Sequence, residues 1–204
     1  RIQWAKIWEQ MGPFFGLAMC HDNRDVAMYS IDALRQLSSK FLEKDELSNF
    51  SFQRSFLKPF EVCFAQSNSI PVRELVLTCV SQIVQARAAN IKSGWKSVFS
   101  VLSLAADDKN ESIMNFGFQI VDSIVAKYFG VIDDVFIDAV NGISAYTRSQ
   151  LSSSVALAAI DILSVVCAKS LADGQAFAAA KPVSRLDATS DLDLPTEKVD
   201  RCLH

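Results

Sequence analysis

A chain of 204 residues, half of them apolar, can bury a sizeable core without a metal or a disulfide. Its formal net charge of −3, from 20 basic and 23 acidic residues, lacks the basic excess of a nucleic-acid module, so no nucleic-acid partner is expected. Seven Gly and five Pro are few for this length, and neither period-2 runs nor hairpin signals separate strands, so the pattern predicts an all-α fold.

Ile2 to Cys20 places Trp4, Ile7, Trp8, Met11, Phe14 and Phe15 at helical spacing, with Gly12-Pro13 expected to kink or interrupt the helix. Asp22, Asn23 and Asp25 supply a helix start, and Val26 to Leu42 reads as the next amphipathic helix, antiparallel to the first. Glu43 to Ser51 is polar and reads as a loop. Phe52, Phe56, Phe60, Cys63 and Phe64 mark one stripe, inside which Pro59 must either kink the helix or start its second half. Ser69 and Pro71 open a helix that runs to Ala88.

From Ala89 to Leu104, Ile91, Trp95, Val98, Phe99 and Leu102 share one stripe, with Lys92, Ser93, Lys96 and Ser100 on the other face. This predicts a central helix with one face packed and one wet, and Gly94 near its start points to a close neighbour. Helices at Ile113 to Phe129, Val135 to Arg148 and Val155 to Leu171 follow, preceded by Asp107 to Ser112, Asp133-Asp134 and Ser152 to Ser154. From Asp173 the periodicity is lost. The expected organisation is a helical domain over residues 1–172 and a linker over 173–204, with a short helix at Glu197 to Leu203.

Four of these helices share a register. With Val26, Val72, Ile113 and Val155 set equivalent, the position eight later is Leu34, Val80, Val121 and Leu163, and the position eleven later is Leu37, Ile83, Ile124 and Val166. The equivalents are spaced 46, 41 and 42 residues apart, within the roughly 40–47 of helical-hairpin repeats. The fold class expected is therefore a short HEAT/armadillo-like α-solenoid of about four helical pairs, with a generic helical bundle as the alternative. Leu34, Val80, Val121 and Leu163 should all be buried.

Chemistry-bearing motifs are sparse. His21 and His204 form no metal spacing with any cysteine, and no phosphate loop, nucleophile elbow or H-E-x-x-H is present, so no catalytic residue, metal or cofactor is expected. Asp107-Asp108 and Asp133-Asp134 sit where helices begin and read as caps. The five cysteines, Cys20, Cys63, Cys79, Cys167 and Cys202, read as reduced thiols, with Cys63, Cys79 and Cys167 expected to be buried in apolar patterns. Asp161 interrupts the most apolar run, Val155 to Ala168, so no membrane span is predicted. The start at Arg1, without a signal-peptide pattern, reads as a piece of something longer. Lys40, Lys44, Arg54 and Lys58 cluster around the first inter-repeat loop, and Arg87, Lys92 and Lys96 around the second. They form either a solvated face or a rim that meets an acidic surface.

Two blocks carry a resemblance. DVAMYSIDALRQLSSKFLEKDELSNFSFQRSFLKPF, Asp25 to Phe60, and AANIKSGWKSVF, Ala88 to Phe99, resemble large Arf guanine-nucleotide exchange factors of the BIG and Sec-seven type, in the first homology region downstream of their catalytic domain. The resemblance covers about Arg24 to Tyr128. It implies a non-catalytic module concerned with autoinhibition and with recruitment to Golgi and endosomal membranes. The implied partners are an activated Arf-type GTPase, neighbouring domains of the same exchange factor and, peripherally, anionic membrane. The implied location is cytoplasmic, on trans-Golgi or endosomal membranes. Arg54, Lys58, Lys92 and Lys96 are the candidate partner-binding residues, being exposed basic positions inside the two blocks. The competing reading is a generic α-solenoid scaffold of membrane traffic or transport.

Overall fold

The computed structural model describes residues 2–44, 46, 51–131 and 135–172. Eight α-helices are present among them, with no strand: α1 (Ile2–Met19), α2 (Arg24–Phe41), α3 (Phe52–Gln66), α4 (Ile70–Arg87), α5 (Gly94–Ala106), α6 (Glu111–Tyr128), α7 (Phe136–Thr147) and α8 (Ser153–Ala172). Consecutive helices pack as pairs. Odd helices also pack on odd and even on even, α1 on α3, α3 on α5 and α5 on α7, and likewise α2 on α4, α4 on α6 and α6 on α8. The result is a two-layered stack of four hairpins, an α-solenoid in which each pair buries its open face on the next.

Local chemistry sets the helix ends. Asn23 caps α2, its Oδ1 accepting the Asp25 amide at 2.9 Å, and Asn110 caps α6 by accepting the Ile113 amide at 3.1 Å. The acidic residues read as caps have another role at Asp108. Its carboxylate accepts the Asn110 amide at 2.8 Å and stands 3.0 Å from the Arg73 guanidinium of α4, well buried. Asp133, Asp134 and the tail from Asp173 lie outside the described residues.

Both internal prolines sit inside single helices, Pro13 in α1 and Pro59 in α3, so neither interrupts or restarts its helix. Pro59 has no amide to give the carbonyl four residues back, that of Ser55. Trp8 supplies the missing donor from α1, its Nε1 lying 3.1 Å from the Ser55 oxygen. The Trp8 ring packs on Phe56 at 4.2 Å between centroids, and Phe56 packs on Phe41 at 4.8 Å, tying the first three helices together.

The repeat register holds in the interior and relaxes at the end. Leu34, Val80 and Val121 are buried, whereas Leu163 is half-buried because α8 is the last described helix and has no successor in its layer. Between α5, α6 and α7 the approach is closest at Gly117. A Cβ there would stand 2.7 Å from the Ala105 Cβ and overlap the Tyr146 hydroxyl, which donates to the Leu102 carbonyl at 2.7 Å. Only glycine lets Tyr146 reach that carbonyl.

Candidate interaction surface

The central stretch is organised differently from the single helix its periodicity predicts. A short 3-10 turn, Ala88–Asn90, ends α4, Ile91 to Ser93 turn, and α5 starts at Gly94. The stripe is nonetheless buried as a unit, Ile91, Trp95, Val98, Phe99 and Leu102 all lying in the core. Lys92 is therefore in the turn and Lys96 in the first helical turn, rather than one turn apart on a single helix. A Cβ on Gly94 would stand 3.1 Å from Leu57 Cδ1, in line with the close packing expected.

A polar clasp holds this turn against the start of α3. Gln53, fully buried, donates from Nε2 to the Asn90 carbonyl at 2.9 Å and accepts the Lys92 amide on Oε1 at 2.7 Å. Glu46 accepts the Gln53 amide at 2.8 Å on one oxygen and the Ser93 amide at 3.0 Å on the other, while the Ser93 hydroxyl donates to it at 3.0 Å. One carboxylate thus meets the N-terminal ends of both α3 and α5, where helix dipoles favour negative charge. Asn90 donates to the Leu42 carbonyl at 2.8 Å, and Arg87 reaches the Ser39 carbonyl and Glu43, each at 3.3 Å. The connection after α2 is thereby laced to the end of α4 and the start of α5.

On the outside of this clasp stand the basic residues. Arg54 and Lys58 are exposed on α3, Lys92 on the turn and Lys96 on α5. The α3 and α5 sites are locked side by side: the Arg54 amide donates to Ser93 Oγ at 3.1 Å, and the buried Ser97 hydroxyl donates to the Arg54 carbonyl at 3.0 Å. Lys58 is paired with Glu61, which offsets its charge. Arg54, Lys92 and Lys96 make no ion pair among the described residues. Lys40 and Arg87, by contrast, both turn to Glu43 and are spent on structure.

Sequence periodicity did not single out Glu46, Gln53, Asn90 or Ser97 as parts of one network. The only local signal is a polar residue, Gln53, between Phe52 and Phe56 on an apolar stripe. A groove of about 620 Å³ runs between α1 and α3, with Lys58 in its wall and apolar side chains such as Trp8, Pro13, Leu17, Phe52, Pro59 and Val62 making up most of the lining.

The thiols divide. Burial pushes Cys63 and Cys79 up to about 12, Cys63 further helped by its neighbour Cys20, and the Cys63 thiol donates to the Met19 carbonyl at 3.2 Å. Cys20 is half-buried and raised for the same reason. Cys167, expected inside the core, is exposed, because its side of α8 faces outward from the last described helix. Cys202 lies outside the described residues. Among the described residues no helix is long and apolar enough to cross a membrane.

The stacked hairpins define a helical-repeat module with an exposed basic edge. The family described as Sec7-like HDS, Mon2/Sec7/BIG1-like, matches residues 40–123, which contain Glu46, Gln53, Asn90 and Ser93 of the clasp. The chain is 44% identical over 87% of its length to brefeldin A-inhibited guanine nucleotide-exchange protein 1 of Homo sapiens, and 40% identical over 85% to brefeldin A-inhibited guanine nucleotide-exchange protein 2 of Arabidopsis thaliana. It belongs to the Sec7-like HDS family, in its BIG-type branch. The chain spans about 10% of the length of each of these relatives.

Proposed function

We propose that this chain is a non-catalytic regulatory region of a large Arf guanine-nucleotide exchange factor, and that its basic edge binds an activated Arf-type GTPase at Golgi or endosomal membranes. The observation that carries this reading is that exposed Arg54 on α3 and exposed Lys96 on α5 lie on two helices clasped together at this point. The Ser93 and Ser97 hydroxyls bind the Arg54 backbone while the Arg54 and Lys96 side chains stay exposed, inside the segment that matches the family. A fixed patch of positive charge on a rigid repeat stack attracts an acidic surface and orients it, with attraction that weakens as salt rises. The named relatives are exchange factors, which supports the choice of GTPase. In this reading residues 1–172 form the regulatory domain, 173–204 link it onward, and contacts with neighbouring domains of the exchange factor restrain the catalytic domain until the GTPase engages. Anionic lipid beside the GTPase adds a peripheral contact.

Pull-down of the chain with GTP-loaded and GDP-loaded Arf tests the proposal. Selective capture by the GTP form supports it. Equal capture by both, or by neither, returns the chain to the reading of a general solenoid scaffold.

A further inference from the structure

The first helical pair leaves uncovered what later pairs cover. Val26 and Leu37 of α2 are 41% and 36% exposed, whereas their register equivalents on α4, Val72 and Ile83, are each 3% exposed. The equivalents on α6 and α8 are buried as well. On α4 this side faces α2: Cys79, one turn before Ile83, lies near enough to Asp32 and Arg35 of α2 for their charges to act on its thiol. The matching side of α2, around Ala33, is therefore where a preceding even-layer helix would lie.

The odd layer tells the same story independently. α3 lies between α1 and α5, and α5 between α3 and α7, but among the described residues α1 packs on α3 alone in its layer. Trp8, Gly12 and Gly16 line the groove on the α3 side. Ile7, Met11 and Phe14 lie about 100–160° around the helix from Gly12, away from α3, and are exposed together with Trp4. Both layers thus expose large apolar side chains at the same end of the stack.

We propose that this end face docks one further helical pair, supplied by a segment of the longer polypeptide outside these 204 residues, in the geometry with which α3 and α4 dock on α1 and α2. Repeat arrays bury such faces on a neighbour or close them with a polar-faced cap, and this end carries too many exposed apolar side chains for such a cap: Trp4, Ile7, Met11 and Phe14 on α1, and Val26, Tyr29 and Leu37 on α2 beside Asp32, Gln36 and Lys40. Relatives of which this chain spans 10% have ample length to supply the pair. The charges flanking the face are of both signs, Lys6 and Lys40 beside Asp25 and Asp32, which suits a protein surface better than an anionic membrane.

Thiol labelling located by mass spectrometry tests this, with Phe14→Cys and Leu37→Cys placed one at a time in the 204-residue chain and in the full-length polypeptide that carries it. Both positions should label rapidly in the short chain and about tenfold or more slowly in the long one, because labelling then requires the pair to open. Equal rates in the two would overturn the proposal. So would slow labelling of the short chain that accompanies a dimer mass, which assigns the face to a second copy. Slowing of the short chain only on phosphatidylserine vesicles would assign it to lipid and overturn it too. No GTPase is present, so the outcome is independent of the function proposed above.

Discussion

Trp8 donates its indole N–H to the carbonyl of Ser55, the acceptor that Pro59 leaves without a helical partner. A proline in the middle of α3, costly in an isolated helix, is thereby turned into a docking point for α1. Trp8→Phe should destabilise the chain by about 1–3 kcal/mol beyond the small change in packing, since it strands a partly buried carbonyl. Pro59→Ala restores a helical donor to that oxygen, so the cost of Trp8→Phe should shrink in its presence. A double-mutant cycle in urea checks this. Additive effects would show that the two residues do not share the acceptor.

The clasp makes a second prediction. Gln53→Ala leaves the Asn90 carbonyl and the Lys92 amide without their partner, at about 1–3 kcal/mol for each buried group. Glu46→Gln keeps the shape but removes the charge that meets two helix ends, and should cost less, about 0.5–2 kcal/mol. Urea midpoints at constant m-value provide the measurement. A Gln53→Ala variant as stable as the parent would remove the clasp from the account.

How far these features could be read from sequence follows from how local they are. The burial of Ile91, Trp95 and Phe99 and the hairpin register are written in spacing, because a helix repeats its faces every few residues. The start of that helix at Gly94 is not legible in the spacing, because Ile91 is buried from a turn and periodicity cannot tell a buried turn from a buried helical residue. Gln53 and Asn90 meet across 37 residues, and Trp8 and Ser55 across 47, so no local pattern contains either pair. The basic positions could be marked as exposed from the polar side of each stripe. That the Arg54 backbone is held against the start of α5 depends on two serine hydroxyls that packing alone brings into place.

Equivalent register positions should differ in cost at the end of the stack. Leu34→Ala removes a fully buried side chain and should cost roughly 2–5 kcal/mol. Leu163→Ala, half-buried on α8, should cost less than half as much, because part of the new space is open to water. Thermal or urea unfolding of the two variants decides it. Equal losses would mean that a further helix covers α8.

Cysteine chemistry supplies a pH dependence. Cys63 and Cys79 hold their protons up to about 12 in the fold against 9.0 when unfolded. The stability from that difference is complete below the unfolded value and is lost as pH rises from about 9 towards 12, where the unfolded chain binds fewer protons. Maleimide at pH 8 should label exposed Cys167 quickly and leave Cys63 and Cys79 unmodified in the native state. Rapid labelling of either buried thiol, read by peptide mass mapping, would contradict the packing of α3 or α4.

The basic edge is tested most directly by recruitment to liposomes bearing activated Arf, comparing the parent chain with the double variant Lys92→Glu, Lys96→Glu. Both side chains are exposed, so thermal stability should change by no more than about 0.5 kcal/mol. Each charge near an anionic surface is worth about 1 kcal/mol, so reversing two should weaken recruitment by at least tenfold at low salt, and the difference should narrow as salt rises. A folded double variant that binds as tightly as the parent at low salt would contradict the account and leave the edge a solvated face.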